Sequence, residues 1–274
     1  MLHRRIYLDP GDEELWLDIY VSSDTAADAP PRSAVLIFPG GGYHGCSPRE
    51  AEPIALAFVS RGINAFVLNY RTCAPRYVYP RQLLDASMAI VHIRQNAEEY
   101  GIDPTRVAVV GFSAGGHLAG SLALMHGREE VLSTLGIGEG DNRPDAAVLC
   151  YPVVTAYPPT HEGSFKNLLG KPFDELTDAE RESFSLERHV DDNSPPMFIW
   201  HTATDKGVPA RGSLLLAESC LEHNIPVTLR LYPTGPHGLA LANRITMGAP
   251  TQVNPIAARW VDEAVEFLEI VFNK

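Results

Sequence analysis

The sequence predicts an α/β fold in which helices cover both faces of a mostly parallel central sheet. Short apolar runs rich in Val, Ile and Leu alternate along the chain with longer segments that have helical periodicity. Strands joined through helices are connected by right-handed crossovers, which place the strands parallel to one another. The length of 274 residues is within the range of one large α/β domain. We therefore expect a single domain over residues 1–274.

The predicted strands are bounded by Gly, Pro or polar residues, as is typical of segments buried in a sheet. The strand at 15–21 alternates apolar and polar residues and is expected at an antiparallel edge. Sites in such sheets lie at the carboxyl ends of the parallel strands. The buried strands are predicted at 34–38, 63–68, 107–110, 146–151, 197–201 and 227–232, and the helices at 50–61, 80–100, 114–125, 209–223 and 255–272.

The segment 155–196 interrupts this alternation. It is rich in Pro, Ser, Glu and Asp, and its apolar residues follow no sustained period. A short helix is expected at 177–184, where Thr177 and Glu180 have the spacing of a capping box. We interpret the segment as a lid-like insertion over the carboxyl ends of the strands, with a plain surface excursion as the alternative.

Charge and composition argue against several classes of function. The chain has 34 acidic and 22 basic residues, and the field of its formal net charge of -12 repels nucleic acids and anionic membranes. No apolar run reaches the roughly 20 residues of a membrane span, and no secretory leader pattern is seen, so we expect a cytoplasmic location. Cys46, Cys73, Cys150 and Cys220 are scattered without metal-ligand spacing and are expected to be reduced thiols. No metal is expected.

The motif that carries most of the chemistry is Gly111-Phe112-Ser113-Ala114-Gly115, between a Val-rich strand and a Gly-containing helix. In that context a G-x-S-x-G sequence is typical of a nucleophile elbow, a strained turn that exposes the serine hydroxyl. A serine hydroxyl is a weak nucleophile near neutral pH and requires a base that is oriented by an acid. Ser113 is therefore the predicted nucleophile.

The acid and the base are expected in loops that follow later strands, in that order along the chain. One predicted strand leads into Asp205, and the last predicted strand leads into His237. These two residues are therefore the predicted acid and base. Asp191 and Asp192 also follow the serine, but no strand precedes them, so they are the alternative acids.

The strand at 34–38 is followed by the sequence PGGGY, whose glycine amides are unobstructed by side chains. Amide donors aimed at a developing negative oxygen are usually the largest electrostatic aid to acyl transfer. We predict an oxyanion hole formed by the amides of Gly41, Gly42 and Ala114, the last of which begins a helix. The glycine runs lack the endings and spacings of phosphate and dinucleotide loops, so no cofactor is expected.

The chain resembles the acetylesterase and acetyl-xylan-esterase-like branch of the α/β-hydrolase superfamily in five motifs, which are, in order, FPGGGY, NYR…AP…YP, GIDPTRVAVVGFSAGGHLA, HTATDKGVP and LYPTGPHGL. More distantly, they are similar to the hormone-sensitive-lipase-like esterases. The resemblance covers residues 34–272 and implies the α/β-hydrolase fold, deacetylation of sugars or other short-acyl esters, and the same triad. Pro39 replaces the usual histidine of the oxyanion run and Phe112 replaces a common Asp, and both departures favour the acetylesterase branch.

Residues near the predicted strand ends are candidates for the substrate pocket. Tyr43, His44 and Tyr70 follow strands whose carboxyl ends are expected to face the site. Structural roles are the alternative for each of the three. Arg71 and Asp85 are candidates for a buried ion pair that braces the glycine loop.

The sequence thus favours a serine carboxylester hydrolase that acts on acetyl or other short-acyl esters, including those of sugars, through an acyl-enzyme. Its expected partner is a small-molecule ester. Amide or peptide cleavage by the same triad is the alternative within enzymes, and a non-catalytic ligand-binding protein on this scaffold is the alternative outside them. The polar insertion is a poor lipid-facing surface, which argues against long-chain lipids. The oligomeric state is left open, a homo-oligomer included.

Overall fold

One sheet forms the centre of the fold in the computed structural model, which describes residues 1–22, 30–72 and 75–273. The strands in these ranges are β1 (Leu2–Tyr7), β2 (Trp16–Val21), β3 (Arg32–Phe38), β4 (Asn64–Asn69), β5 (Ile102–Phe112), β6 (Ala146–Cys150), β7 (Met197–Thr202) and β8 (Val227–Tyr232). Their order across the sheet is β1-β2-β4-β3-β5-β6-β7-β8. β2 is antiparallel to β1 and β4, and the other neighbouring strands are parallel. The predicted mostly parallel sheet with an antiparallel start is confirmed.

Helices pack on both faces of this sheet and bury two separate cores. In the described ranges they are α1 (Glu52–Val59), α2 (Arg81–Gln95), α3 (Ala97–Tyr100), α4 (Ala114–Met125), α5 (Glu129–Leu135), α6 (Glu162–Leu169), α7 (Asp178–Phe184), α8 (Arg211–Glu222) and α9 (Trp260–Phe272). Successive residues of a strand point to opposite faces, so Leu36 of β3 enters one core and Ile37 enters the other. α2, α4 and α8 cover the first core, whereas α1 and α9 cover the second.

The predicted strands are all present, and the differences from prediction have physical reasons. β1 was not predicted because its residues are mostly exposed and it pairs only with β2, at the edge of the sheet. The helix predicted at 80–100 is divided at Asn96 into α2 and α3, and α9 begins only at Trp260. α5 and α6 are too short to produce a sustained helical period. The predicted capping box of Thr177 and Glu180 is present at the start of α7.

The carboxyl ends of the central strands lie side by side and bring four distant parts of the chain together. The register pairs Phe38 at the end of β3 with Gly111 of β5, and it pairs Thr202 of β7 with Tyr232 of β8. β6 lies between β5 and β7. The loops that follow β3, β5, β7 and β8 therefore leave the same edge of the sheet.

Candidate active site

Ser113 lies in a sharp turn between β5 and α4. Its backbone has φ 55° and ψ -117°, a conformation that a residue with a side chain rarely adopts without support. Two glycines permit the turn, because a Cβ at Gly115 would lie 2.2 Å from the Phe38 carbonyl oxygen, and a Cβ at Gly111 would lie 2.2 Å from the Gly115 carbonyl oxygen. The Ser113 N–H donates to the Cys150 carbonyl oxygen at 3.0 Å, which ties the turn to the end of β6.

The structure brings Ser113, His237 and Asp205 into one hydrogen-bonded chain. The Ser113 hydroxyl donates to His237 Nε2 at 2.8 Å, and His237 Nδ1–H donates to Asp205 Oδ2 at 2.7 Å. This tautomer follows from the partners, since an ionised carboxylate can only accept a hydrogen bond. Ser113 and His237 are 124 residues apart in the chain. They are neighbours because the turn after β5 and the loop after β8 leave the same edge of the sheet.

The carboxylate of Asp205 is held in its ionised form by several donors. The amides of Gly207 and Val208 donate to Oδ1 at 2.8 and 3.0 Å, and the buried His201 Nε2 lies 3.3 Å from Oδ2. Burial acts to raise the pKa of Asp205, but hydrogen bonds from His201, His237 and the Val208 amide bring that pKa well below its usual value. An acid that remains ionised near neutral pH is suited to orienting an imidazole.

The alternative acids lie elsewhere. Asp191 Oδ1 accepts from the Asn193 amide at 2.9 Å within its own turn, and the side chain of Asp192 is 93% exposed beside His223. Neither carboxylate contacts His237 among the described hydrogen bonds, so the geometry favours Asp205 over both.

The glycine loop after β3 lies directly beside Ser113. A Cβ at Gly40 would be 3.1 Å from the Ser113 Cβ. Gly41 and Gly42 have φ values of 140° and 63°, which a side chain would strain. Within the described residues, neither of their N–H groups donates a hydrogen bond, and the N–H of Ala114 has no acceptor inside α4 because it begins that helix. The three amides predicted as oxyanion donors are thus available to a ligand.

The predicted pocket residues are placed differently from one another. Tyr43 donates from its hydroxyl to His117 Nδ1 at 2.8 Å, and Tyr70 donates to the Pro39 carbonyl oxygen at 2.7 Å. Both tyrosines are 1% exposed, so they support the glycine loop from the protein interior and do not line an open pocket. His44 is exposed on the same loop.

The ion pair suggested by the sequence is present beneath the site. Arg71 Nη2 lies 2.5 Å from Asp85 Oδ1, and the Arg71 amide also donates to that carboxylate at 2.9 Å. Arg71 Nη1 reaches Asp9 at 2.9 Å and Asp12 at 3.3 Å in the loop between β1 and β2. The neighbouring Tyr70 connects this ion pair to the glycine loop, because its hydroxyl donates to the carbonyl oxygen of Pro39, the residue before the glycines.

The segment 155–196 supplies contacts that sequence reasoning missed. A Cβ at Gly42 would lie 3.7 Å from His161 Cε1, and Asn167 Nδ2 donates to the Gly42 carbonyl oxygen at 2.8 Å. Burial lowers the pKa of His161, and the charge of His237 acts in the same direction. Asn167 belongs to α6, and His161 precedes it. No periodicity in the sequence indicated that this short helix would lie close to the glycine loop.

A groove of about 750 Å³ opens beside His237. Its walls come from the loops after β7 and β8 and from the segment before α9. The polar side chains that line it are Thr204, Lys206, Thr234, His237, Thr251 and Asn254.

Metal sites and membrane-spanning helices are both absent from the described parts of the chain. In residues 1–22, 30–72 and 75–273 no cluster of three or more His, Cys, Asp or Glu side chains has the geometry of a metal site. None of the helices in these ranges has the length and apolar character needed to cross a bilayer. Cys46, Cys150 and Cys220 are free thiols, and the predicted thiol Cys73 lies outside the described residues.

The chain is similar to several known hydrolases. Endo-1,4-beta-xylanase B of Butyrivibrio fibrisolvens is 42% identical over 77% of this chain and 33% of the xylanase. Esterase LipQ of Mycobacterium tuberculosis is 27% identical over 97% of this chain and 61% of LipQ. The crystal structure of the acetyl ester-xyloside bifunctional hydrolase from Caldicellulosiruptor lactoaceticus has a TM-score of 0.82 and 33% identity, and covers 98% of this chain and 96% of that one. The chain therefore spans a third of the xylanase and about three fifths of LipQ.

The sheet order and the Ser–His–Asp hydrogen-bonded chain at the strand ends define an α/β-hydrolase-fold protein that is similar to named esterases. The family model BD-FAE matches residues 17–220, which include Ser113 and Asp205. The chain belongs to the BD-FAE family. The predicted resemblance to esterases of the α/β-hydrolase superfamily is thereby confirmed.

Proposed function

We propose that the chain hydrolyses short-acyl carboxylic esters, with acetyl esters preferred, through an acyl-enzyme on Ser113. The observation that carries the proposal is the unbroken hydrogen-bonded chain from the Ser113 hydroxyl through His237 to Asp205. Amide donors beside the serine and an acid that stays ionised complete what acyl transfer requires.

In the proposed reaction His237 takes the proton of Ser113 while the serine oxygen attacks the ester carbonyl carbon. Asp205 stabilises the imidazolium that forms. The tetrahedral intermediate collapses when its bond to the alcohol oxygen breaks, and His237 returns the proton to that leaving alcohol. Water then attacks the acyl-enzyme by the same route, and the acid and free Ser113 are released.

The negative oxygen of the intermediate is the proposed ligand of the amides of Gly41, Gly42 and Ala114. Ala114 also begins α4, so the positive end of the helix dipole adds to its N–H. Tyr43 of the loop and Tyr70 after β4 are proposed to support these amides rather than to bind substrate, because both are buried and both hydroxyls have partners inside the protein.

The preference for a small acyl group is proposed from the character of the insertion. We infer that residues 155–196 form a partial lid, since His161 and Asn167 approach the glycine loop. The exposed surface of the segment includes ion pairs such as Lys171 with Glu180, and such a surface is unsuited to a lipid phase. A solved relative is named for acetyl ester hydrolysis, which supports the same preference.

A single domain, a cytoplasmic location and a small-molecule ester as partner belong to the proposal. The free thiols of Cys46, Cys150 and Cys220 are compatible with a reducing compartment. We propose sugar esters as natural substrates, because the groove beside His237 offers the hydroxyls of Thr234 and Thr251 and the amine of Lys206 to a polyhydroxylated alcohol.

The test is kcat/KM for aryl acetate, butyrate and octanoate, followed by an acetylated sugar. We expect a steep decline from acetate to octanoate, because each methylene that does not fit costs on the order of 1 kcal/mol, about fivefold in rate. Acetanilide, the matched amide, should react far more slowly than the aryl acetate. A maximum at octanoate, or activation at a lipid interface, would reject the short-acyl assignment, and preference for the anilide would favour an amidase.

A further inference from the structure

A buried carboxylate that the proposed reaction does not use lies behind the glycine loop. Glu50 is 4% exposed, and its Oε2 accepts from the Gly40 N–H at 2.9 Å. Its Oε1 accepts from the Tyr151 hydroxyl at 2.7 Å. Within the described residues no Lys or Arg forms an ion pair with it, and burial raises its pKa. A buried carboxyl group without an ion-pair partner is costly to keep, although the charges of His237 and Arg49 oppose the effect of burial on its pKa. The roles of its two hydrogen-bond partners therefore require an explanation.

The second partner, Tyr151, is itself bound to the loop that carries His237. Its hydroxyl accepts from the Ala240 N–H at 2.9 Å, and its ring lies edge-on to the His237 ring with centroids 5.2 Å apart. Tyr151 has φ 38° and Ala240 has φ 51°, so both backbones occupy conformations that need support. The Ala240 carbonyl oxygen accepts from Trp260 Nε1 at 2.9 Å, which fixes the other side of that residue.

These contacts form one continuous connection from Gly40 through Glu50 and Tyr151 to Ala240. The first end adjoins the proposed oxyanion donors, since Gly40 precedes Gly41. The other end is three residues beyond His237. The neighbouring Arg49 adds a parallel tie, because its Nη2 donates to the Gly238 carbonyl oxygen at 3.0 Å.

We propose that Glu50 and Tyr151 are positioning residues that hold the glycine loop and the His237 loop in register about Ser113. The inference rests on the proposed function, because it concerns the same reaction. Glu50 does not touch the reacting atoms. It acts through the Gly40 amide on one side and through Tyr151 on the other.

The experiment compares Glu50→Gln, Tyr151→Phe and the double variant in kcat and KM for aryl acetate. Gln keeps an oxygen for the Gly40 amide but removes the charge, and Phe keeps the ring beside His237 but removes the bridging hydroxyl. Each single variant should lower kcat about 10- to 100-fold with KM within about twofold, because donors and base are displaced only slightly. The double variant should be no worse than about twofold below the poorer single variant, since both changes interrupt one connection.

A matched carboxylate and phenol serve as controls. The Tyr20 hydroxyl donates to Glu52 Oε2 at 3.4 Å, and neither residue contacts the triad or the glycine loop among the described hydrogen bonds. Glu52→Gln and Tyr20→Phe should leave kcat and KM near the wild-type values. Melting temperature and near-UV circular dichroism establish for every variant that the measured chains are folded.

The proposal is overturned if both single variants keep wild-type kcat, if only KM rises, or if the two losses multiply in the double variant. If Glu50→Gln does not fold, Tyr151→Phe decides, since it removes one oxygen atom and keeps the ring. Failure of the proposed function gives a different result, because the wild type itself would then neither hydrolyse aryl acetate nor react at Ser113 with a fluorophosphonate. In that case the positioning role of Glu50 and Tyr151 would be rejected as well.

Discussion

The carboxyl edge of the sheet and the insertion at 155–196 meet at the same site, but different interactions hold them. In the sheet, Val110 of β5 pairs with Ile37 on one side and with Val148 on the other, and all three side chains are fully buried. In the insertion, α6 and α7 have only 8 and 7 residues, too few to be stable alone. The difference indicates that paired strands set the distances between the proposed catalytic groups, whereas side-chain packing and side-chain hydrogen bonds place the insertion beside them.

The insertion is attached through buried apolar side chains, such as Phe165 and Leu186, and through hydrogen bonds from side chains to backbone. Arg181 donates from Nη1 to the Ala156 carbonyl oxygen at 2.7 Å and from Nη2 to the Phe173 carbonyl oxygen at 2.9 Å. His117 Nε2 lies 2.9 Å from the Phe184 carbonyl oxygen and joins the segment to α4. Each such bond contributes about 1 kcal/mol, and the burial of Phe165, Leu168 and Leu186 in the first core adds to the attachment of the insertion.

The largest effect is expected at the sheet edge, from Asp205→Asn. The amide cannot act as the negative partner of His237 and favours the wrong tautomer, so kcat should fall on the order of 10⁴-fold while substrate binding persists. Steady-state kinetics with aryl acetate measure the fall in kcat and the unchanged binding. Asp192→Asn, at an exposed carboxylate, is the control and should keep wild-type rates. An Asp205→Asn enzyme as fast as the wild type would mean that another acid serves His237.

A smaller loss is expected in the loop between the two regions, from Gly41→Ala. A Cβ there would lie 2.1 Å from the Gly45 carbonyl oxygen at φ 140°, so the loop must move and its amide leaves the site. Loss of one oxyanion donor corresponds to about 100-fold in kcat. Gly101→Ala is the control, because its φ of 61° is also strained but no atom lies within 4 Å of the added Cβ. If Gly41→Ala, like Gly101→Ala, is less stable but keeps the wild-type kcat, the Gly41 amide is not an oxyanion donor.

The three residues of the proposed triad could be located from the sequence, because each follows a strand whose apolar run is visible in the sequence. Ser113 also has glycines on both sides, which a strained turn requires. The burial of Tyr43 and Tyr70 could not be predicted, since position after a strand does not say whether a phenol points into the core or the pocket. Glu50 and His161 gave no signal, because their partners are distant in the chain.

The smallest effect is expected where the insertion meets α4, at His117. Burial lowers the pKa of this histidine to about 4, and the Phe184 carbonyl only partly opposes that. Its folded pKa is below the unfolded value near 6.5, so the unfolded chain binds the proton more readily and stability falls as pH drops from 6.5 toward 4. Between pH 7 and pH 5 this group should cost about 2 kcal/mol of unfolding free energy.

His117→Gln removes the titrating group while keeping polar atoms near Tyr43 and Phe184. Urea unfolding of both proteins at pH 7 and pH 5 should give a wild-type decrease that exceeds that of the variant by about 2 kcal/mol. Equal decreases would mean that His117 is protonated in the folded protein or that its junction with the insertion opens at pH 5.

The central claim is that Ser113 is the nucleophile, and covalent labelling tests it most directly. The wild type is treated with a fluorophosphonate, and the adduct is counted by intact mass and located by peptide mapping. We expect one adduct per chain, on Ser113, and none in Ser113→Ala, whose near-UV circular dichroism should match the wild type because only a hydroxyl is lost. A Ser113→Ala protein that is labelled like the wild type, or that hydrolyses aryl acetate at the wild-type rate, would contradict the account.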